Sequence, residues 1–370
     1  MATSKHSEIP VVLVGCGAIS RFFYAPALTA LALPEALRVA ALVDPSEENR
    51  GHLAEFFPEA RSFGSIEDAG IGSSHLVIVA SPPRFHARQS IHALERGAAV
   101  LCEKPMAGSV EDAEAMAAAA AAGGILAVGL YRRFFPACEA IRGIIQKQTL
   151  GQLRSFEVNE GGPFSWQAAS ESFFRRASTP GGVLYDTGVH TLDLLLWWLG
   201  DPSAFVYEDD AMGGLEANCR LALEYSDGCR GEVRLSRDWK TENRYTFFFE
   251  RGFVRWTVNE ADRLEICLDG MPASVRGNLV PMTRTGDLLL EHGKARTNPQ
   301  SFIEQLRNLS ATMRGEEELR VPAAEGLRSL RLIDRCYGKR KLMEIPWLTP
   351  HEAEQAQRLA SSEGKEVASP

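Results

Sequence analysis

Two side chains in the segment 180–200 have the types and spacing that proton transfer requires. Asp186 and His190 are four residues apart, and on a helix that spacing places both side chains on one face. A carboxylate beside an imidazole fixes its tautomer and raises its basicity, which prepares a histidine for acid–base chemistry. The same pair also fits a structural histidine in a buried helix, because residues 192–198 are mostly apolar.

Lys104 is a second candidate for chemistry. It lies in the tripeptide Glu103-Lys104-Pro105, directly after the apolar run Ala99–Cys102. A lysine at the carboxyl end of a strand, held by a proline and beside an acid, can present its ammonium to a hydroxyl with a perturbed pKa. The alternative is an ordinary surface loop, in which such tripeptides are common.

A glycine turn follows the first predicted strand, Ile9–Val14. Gly15 and Gly17 flank Cys16, and a helical pattern begins at Ala18 and Ile19. A strand, a tight glycine turn and a helix N-terminus together form a cradle of backbone N–H groups for a pyrophosphate. Ser20 stands at the position of the third glycine of the usual fingerprint.

An acidic residue, Asp44, ends the second predicted strand, 39–43. A carboxylate there accepts hydrogen bonds from the ribose hydroxyls and repels a 2′-phosphate, so it favours NAD, with NADP as the alternative cofactor. The other interpretation of Asp44 is a helix N-cap ahead of Pro45.

These residues sit in a repeating strand–helix pattern that predicts a parallel sheet with helices on both faces. The predicted strands are 9–14, 39–43, 76–80, 98–102 and 125–129, and the predicted helices are 85–96 and 110–122. Ligands bind such sheets at the carboxyl ends of the strands. The residues at those ends are Gly15, Asp44, Ser81, Glu103-Lys104-Pro105 and Tyr131. The second half instead predicts short strands at 217–225, 231–235, 245–250, 253–258 and 264–268, and helices at 301–314 and 323–337.

Length and composition limit the class of protein. A chain of 370 residues suggests two domains, and a net charge of -8 argues against a nucleic-acid partner. The seven scattered cysteines lack metal-ligand spacing, which indicates reduced thiols in a cytoplasmic protein without a metal. The apolar segment 113–130 is interrupted by Gly123-Gly124, so we expect no membrane association.

Taken together, the motifs resemble those of the Gfo/Idh/MocA family, which are nicotinamide-dependent oxidoreductases. The resemblance covers about residues 9 to 347 and is carried by Gly15-Cys16-Gly17, the run from Val100 to Pro105, Tyr131-Arg132-Arg133 with Pro136, and Asp186, Gly188 and Asp193 around His190. It implies an α/β Rossmann domain for NAD(P) over residues 1–130. It further implies an α+β domain over 131–350, with a large, mostly antiparallel open sheet that binds substrate and carries the interface of a homodimer or homotetramer. Residues 351–370 would form a polar C-terminal tail.

The resemblance also implies roles for individual residues. The catalytic residues would be Lys104, Asp186 and His190, which would bind the substrate together with Tyr131 and Arg132. The cofactor-binding residues would be Gly15, Gly17, Ala18, Ile19, Asp44, Ser81, Pro82, His86, Glu103 and Lys104. The loop Phe164-Ser165-Trp166 is a candidate cover for the substrate. For this loop, Tyr131 and Arg132, the alternative role is packing or surface structure.

The implied reaction is reversible oxidation of a secondary alcohol on a carbohydrate-like molecule: a sugar, sugar derivative or cyclitol. Loss of a hydride to the nicotinamide requires a base for the hydroxyl proton. His190 would be that acid/base, Asp186 would orient it, and Lys104 would hold the reacting oxygen, with a Lys104 base as the variant.

Two other classes of function are consistent with the motifs to different degrees. A redox-neutral enzyme with tightly bound NAD, such as an epimerase, eliminase or glycosidase, would use the same residues. A silent dinucleotide sensor or structural protein is disfavoured, because Lys104, Asp186 and His190 are all present.

The sequence departs from the family pattern at Tyr24, where many members have histidine, and at Pro180, where glycine is common. The sequence therefore does not identify the substrate.

Overall fold

The computed structural model describes residues 7–165, 174–279, 298–344 and 348–362. The strands are β1 Ile9–Val14, β2 Leu37–Val43, β3 Arg61–Phe63, β4 Leu76–Val79, β5 Ala99–Cys102, β6 Leu126–Val128, β7 Leu153–Gly161, β8 Ala204–Asp209, β9 Asn218–Glu224, β10 Arg230–Ser236, β11 Arg244–Phe249, β12 Gly252–Thr257, β13 Arg263–Leu268, β14 Val275–Asn278 and β15 Lys341–Leu342. The helices are α1 Ala25–Leu31, α2 Glu47–Ala54, α3 His86–Leu94, α4 Val110–Ala121, α5 Pro136–Gln146, α6 Val183–Asp186, α7 Gly188–Leu199, α8 Asn298–Met313, α9 Ala323–Gly338 and α10 Pro350–Ser362.

The described chain divides into two compact units. The first contains residues 7–134, 174–179 and 298–331, and the second contains residues 135–165, 180–279, 332–344 and 348–362. Helix α10 covers the whole described part of the predicted tail, residues 351–362, and residues 363–370 lie outside the described residues.

The first unit is built on an all-parallel sheet in the order β3-β2-β1-β4-β5-β6. Every residue of β4 and β5 is buried, as expected for central parallel strands with both faces covered. Three residues of α8 (Phe302, Leu306 and Leu309) belong to the same apolar core as β1, although α8 follows far later in the sequence. The predicted Rossmann-type α/β unit is confirmed, and its strand order reverses between β1 and β4.

The second unit is built on a nine-stranded mixed sheet in the order β14-β13-β12-β11-β7-β10-β9-β8-β15. Only the pairs β7–β10 and β8–β15 are parallel in the described residues, so the predicted mostly antiparallel sheet is confirmed. The central strand β7 was not among the predicted strands. The alternation of Phe156 and Val158 with polar residues is nevertheless the ordinary signal of a half-buried strand.

The two faces of the nine-stranded sheet differ in chemistry. On one face, Trp198 of α7 packs edge-on against Phe247, with ring centroids 5.3 Å apart. On β9 and β10 most of the side chains that alternate with the core residues are charged, and Arg220 pairs with Glu232 at 2.5 Å. An ion pair this exposed contributes only about 0–1 kcal/mol, so the charged face adds little to folding.

A buried charge cluster lies at the β8 edge of this unit. The carboxylates of Asp209 and Glu216 are fully buried and lie 2.7 and 3.6 Å from Arg340 nitrogens. Burial raises the pKa of Asp209 to about 6, and the charge of Arg340 opposes that increase. The folded state therefore holds a proton on Asp209 more tightly than the unfolded chain does.

This pKa predicts a pH-dependent stability that Asp209→Asn should remove. In the native protein, ionisation of Asp209 should lower the free energy of unfolding as the pH rises from about 4 to above 6, by about 3 kcal/mol in total. The Asp209→Asn variant lacks this ionisation. The difference between its free energy of unfolding and that of the native protein should therefore increase in favour of the variant by about that amount from about pH 4 to about pH 7.5. Urea unfolding of both proteins at the two pH values measures the two free energies of unfolding. If their difference is the same at both pH values, the raised pKa of Asp209 is contradicted.

Candidate active site

The glycine turn after β1 is fixed by close main-chain packing. Gly15 has φ +89°, and a Cβ there would lie 2.5 Å from the nitrogen of Ser81. The hydroxyl of Ser20 donates to the Gly15 carbonyl at 2.5 Å, so the serine at the third glycine position closes the turn. By contrast, a Cβ at Gly17 would meet no atom of the described residues within 4 Å. Gly15 is thus required by the fold, whereas the protein leaves the space beside Gly17 open.

The Asp44 carboxylate accepts a hydrogen bond from the glycine turn and does not cap a helix. Its Oδ2 accepts from the N–H of Cys16 at 2.8 Å, and its Oδ1 accepts from the N–H of Ser46 at 2.8 Å. The N-cap of α2 is Ser46, whose hydroxyl accepts from the N–H of Asn49. The N-cap interpretation of Asp44 is therefore wrong, and its carboxylate lies at the turn.

His86 joins two loops at the carboxyl edge of the same sheet. Its Nε2 lies 2.6 Å from the carbonyl oxygen of Ser81, and its Nδ1 lies 3.0 Å from that of Pro105. Burial lowers the pKa of His86, against the opposing effect of these carbonyls. Since Ser81 also abuts Gly15, one chain of contacts runs from the glycine turn through His86 to the Lys104-Pro105 loop.

Glu103 is oriented by a buried tyrosine. Tyr24 Oη donates to Glu103 Oε1 at 2.6 Å, and the N–H of Lys104 donates to Glu103 Oε2 at 3.0 Å. Burial raises the pKa of Glu103, while the hydrogen bond from Tyr24 and the charge of Lys104 oppose that increase. Tyr24, the departure from the family pattern, therefore supports the main chain that carries Lys104.

The Tyr131-Arg132-Arg133 segment follows β6 and is largely buried. The Tyr131 ring stacks on Phe302 of α8 with centroids 5.1 Å apart, and Arg132 is 5% exposed. Arg133 donates to Glu325 Oε2 at 2.6 Å. Arg133 thus has a structural partner, and Tyr131 is held against α8.

Asp186 and His190 lie in the second unit on two successive helices. Asp186 ends α6, and His190 lies in the first turn of α7, where its N–H donates to the carbonyl of Thr187 at 3.1 Å. The break at Thr187 differs from the single helix that the spacing predicted. His190 is 5% exposed, and Oδ2 of Asp186 lies 3.6 Å from Nη2 of Arg237.

Comparison with known proteins identifies the family. The oxidoreductase family with an NAD-binding Rossmann fold, GFO_IDH_MocA, matches residues 9–130, and the GFO/IDH/MocA C-terminal domain matches residues 138–255. The chain belongs to the Gfo/Idh/MocA family. The predicted family, the enzyme class of NAD(P)-dependent oxidoreductase and the NAD(P) cofactor class are thereby confirmed.

Relatives within the Gfo/Idh/MocA family are moderately similar. The chain is 30% identical to the rhizopine catabolism protein MocA of Rhizobium meliloti over 61% of this chain and 70% of that protein. It is also 30% identical to trans-1,2-dihydrobenzene-1,2-diol dehydrogenase of Sus scrofa, over 52% of this chain and 55% of that enzyme. The chain thus matches little more than half of the pig enzyme's length.

A solved structure shares the Gfo/Idh/MocA fold over most of the chain. A levoglucosan dehydrogenase in complex with NADH and levoglucosan matches with a TM-score of 0.76 and 20% identity, covering 89% of this chain and 96% of that one.

Among the described residues, no helix is long and apolar enough to cross a membrane. The same residues contain no cluster of three or more His, Cys, Asp or Glu that could hold a metal ion.

Two polar residues that contact the segment 182–186 of this Gfo/Idh/MocA protein were not identified from the sequence. Arg237 pairs with Asp186, and its carbonyl accepts from the N–H of Phe164 at 2.8 Å. Glu216 accepts from the N–H of Gly182 at 2.9 Å, at the start of the segment that carries Asp186. Neither residue lies in a motif. Trp166 of the candidate substrate loop lies outside the described residues.

Proposed function

We propose that this protein interconverts a secondary alcohol and a ketone on a sugar, sugar derivative or cyclitol, with NAD as the hydride acceptor. The observation that carries the proposal is the contact chain from Gly15 through Ser81 and His86 to Pro105. It ties a dinucleotide-type turn to the loop that presents a half-buried lysine, Lys104. The names of the diol and levoglucosan dehydrogenases support a hydroxylated substrate.

The residues around the turn fit NAD. The open space beside Gly17 suits the pyrophosphate, together with the N–H groups at the start of the helical segment that runs from Ala18 through the π-helical turn Ser20–Tyr24 into α1. Asp44 suits the ribose hydroxyls, because its carboxylate already lies against Cys16 of the turn. When bound, the nicotinamide accepts or returns a hydride. Ser81, Pro82, His86 and Glu103 would shape the site mainly through the loops that they form.

Three side chains are assigned to the chemistry. His190 takes the proton of the substrate hydroxyl during oxidation and returns it during reduction. Asp186 orients His190, and its pairing with Arg237 limits where the carboxylate can move. Lys104 donates a hydrogen bond to the reacting oxygen and stabilises its alkoxide-like form. Tyr131 and Arg132 would complete substrate binding.

Two further properties follow from the proposed assignment. The dinucleotide-binding domain would comprise residues 1–130 and the substrate domain 131–350. The nine-stranded sheet would carry the subunit interface of a homodimer or homotetramer, since a broad one-sided sheet needs cover.

The absorbance of NADH tests the proposed reaction. The purified protein is supplied with NAD or NADP and a panel of free sugars, sugar phosphates, nucleotide sugars and inositols. We expect NADH to form with at least one member, and the signal to vanish with His190→Ala. No signal across the panel, with NAD released from the denatured protein, would instead favour redox-neutral chemistry.

Cofactor preference should depend on Asp44. In Asp44→Asn the side chain keeps its shape and loses the negative charge that repels a 2′-phosphate. We expect the ratio of kcat/KM for NADP to that for NAD to rise by about tenfold or more. The control is Asp68→Asn, which changes an exposed carboxylate of the same unit. An unchanged ratio in Asp44→Asn would contradict the ribose assignment.

A further inference from the structure

The main chain that leads to Asp186 is anchored by one buried glutamate. The N–H groups of Gly182 and Leu184 donate to Glu216 Oε1 at 2.9 and 3.1 Å. Between them, the N–H of Val183 donates to the main-chain carbonyl of Glu216 at 3.0 Å. Three consecutive N–H groups therefore end on Glu216, which is 0% exposed.

The glycine pair at 181–182 permits this close approach. A Cβ at Gly182 would overlap the carbonyl oxygen of Glu216, and one at Gly181 would overlap the hydroxyl of Tyr337. That hydroxyl donates to Glu216 Oε1 at 2.7 Å. The side chain of Glu216 is also fixed at its other oxygen, since Oε2 lies 3.6 Å from Nη2 of Arg340.

Main-chain hydrogen bonds connect the residues that Glu216 holds to the proposed acid–base residues. The N–H of Asp186 donates to the carbonyl of Gly182 at 3.0 Å, and that of Thr187 donates to the carbonyl of Val183 at 2.9 Å. The N–H of His190 in turn donates to the carbonyl of Thr187 at 3.1 Å. The turn that holds Asp186 is thus built on the residues that Glu216 anchors.

We propose that Glu216 is a positioning residue for Asp186 and His190: its carboxylate and carbonyl set where the acid–base segment begins. The inference rests on the proposed function of that pair. Displacement of a catalytic group by about 1 Å can cost about 10²-fold in rate. Loss of the anchor should therefore lower turnover more than it lowers cofactor binding.

Two substitutions of Glu216 separate its acceptor role from its charge. Glu216→Leu removes the acceptor from the N–H groups of Gly182 and Leu184, and we expect kcat to fall by at least about tenfold while the Kd for NAD stays unchanged. Glu216→Gln keeps an oxygen in the same place, and we expect it to retain at least about a third of the native kcat. Steady-state kinetics and NAD titration give both quantities.

Asp209→Asn controls for a general disturbance of the buried charge cluster. Asp209 shares Arg340 with Glu216 in the same buried cluster, but the hydrogen bond that Asp209 accepts comes from the N–H of Ala211 and not from the segment 182–184. We expect its kcat to stay within about twofold of native at a temperature where circular dichroism shows both proteins folded. If Glu216→Leu does not fold, Glu216→Asp, whose carboxylate is one methylene shorter, takes its place, with an expected loss of about threefold or more.

Two results would overturn the inference. One is a folded Glu216→Leu, or Glu216→Asp in its place, with native kcat; the other is an Asp209→Asn that loses as much turnover as the Glu216 variant. His190→Ala is measured alongside them. If His190→Ala keeps native activity, the proposed function has failed; if His190→Ala is inactive and Glu216→Leu is native, only the role of Glu216 has failed.

Discussion

Replacing His190 with alanine is expected to lower kcat by at least about 10²-fold and to leave the Kd for NAD nearly unchanged. The variant lacks the group that accepts the hydroxyl proton, while the glycine turn and Asp44 are intact. Lys104→Ala should have an effect of the same order, because the reacting oxygen loses the donor that favours its alkoxide-like form. Steady-state rates and fluorescence titration of NAD measure the two quantities.

Matched substitutions and the pH profile make this test specific. His351→Ala and Lys147→Ala remove the same side-chain types from exposed positions and should leave kcat unchanged. A titration in the pH–rate profile that is lost in His190→Ala and kept in Lys104→Ala identifies His190 as the base, and the reverse identifies Lys104. Full activity in both variants would refute the assignment.

The first unit was predictable because its candidate site residues belong to local sequence patterns. The strand β1 has the predicted bounds, and β2 begins two residues before its predicted start. A buried parallel strand reads as an apolar run, and the residue after it must lie at the carboxyl edge. Gly15, Asp44 and Lys104 could therefore be assigned to one edge of a sheet from the sequence alone.

The second unit was less predictable because its site depends on contacts between distant residues. Glu216 is 34 residues from Gly182 in the chain, and Arg237 meets Asp186 only after β10 has been placed. Helical spacing suggested one continuous helix through Asp186 and His190, whereas the structure breaks it at Thr187. Gly188 begins the second helix, where a Cβ would lie 2.8 Å from Leu235 of β10. Packing against the sheet, which spacing alone does not reveal, accounts for a glycine at that position.

Alanine in place of each glycine of the turn should affect a different property: stability at Gly15 and NAD binding at Gly17. Gly15→Ala forces an alanine into φ +89° and places its Cβ 2.5 Å from Ser81 N and 2.6 Å from the Ala80 carbonyl carbon. Both atoms belong to the main chain at the end of β4, so they cannot move aside without distorting the sheet. We expect the free energy of unfolding to fall by about 2 kcal/mol or more.

Gly17→Ala should instead damage cofactor binding without damaging the fold. A Cβ there meets no atom within 4 Å in the part of the chain that the structure describes, so the free energy of unfolding should stay within about 0.5 kcal/mol of native. The same methyl group would occupy the space assigned to the pyrophosphate, and the Kd for NAD should rise by about tenfold or more. Urea unfolding and NAD titration of both variants measure the contrast. A Gly17→Ala protein that binds NAD with native affinity would show that the open space beside the turn is not where the dinucleotide lies, and the function proposed from the turn would lose its cofactor site.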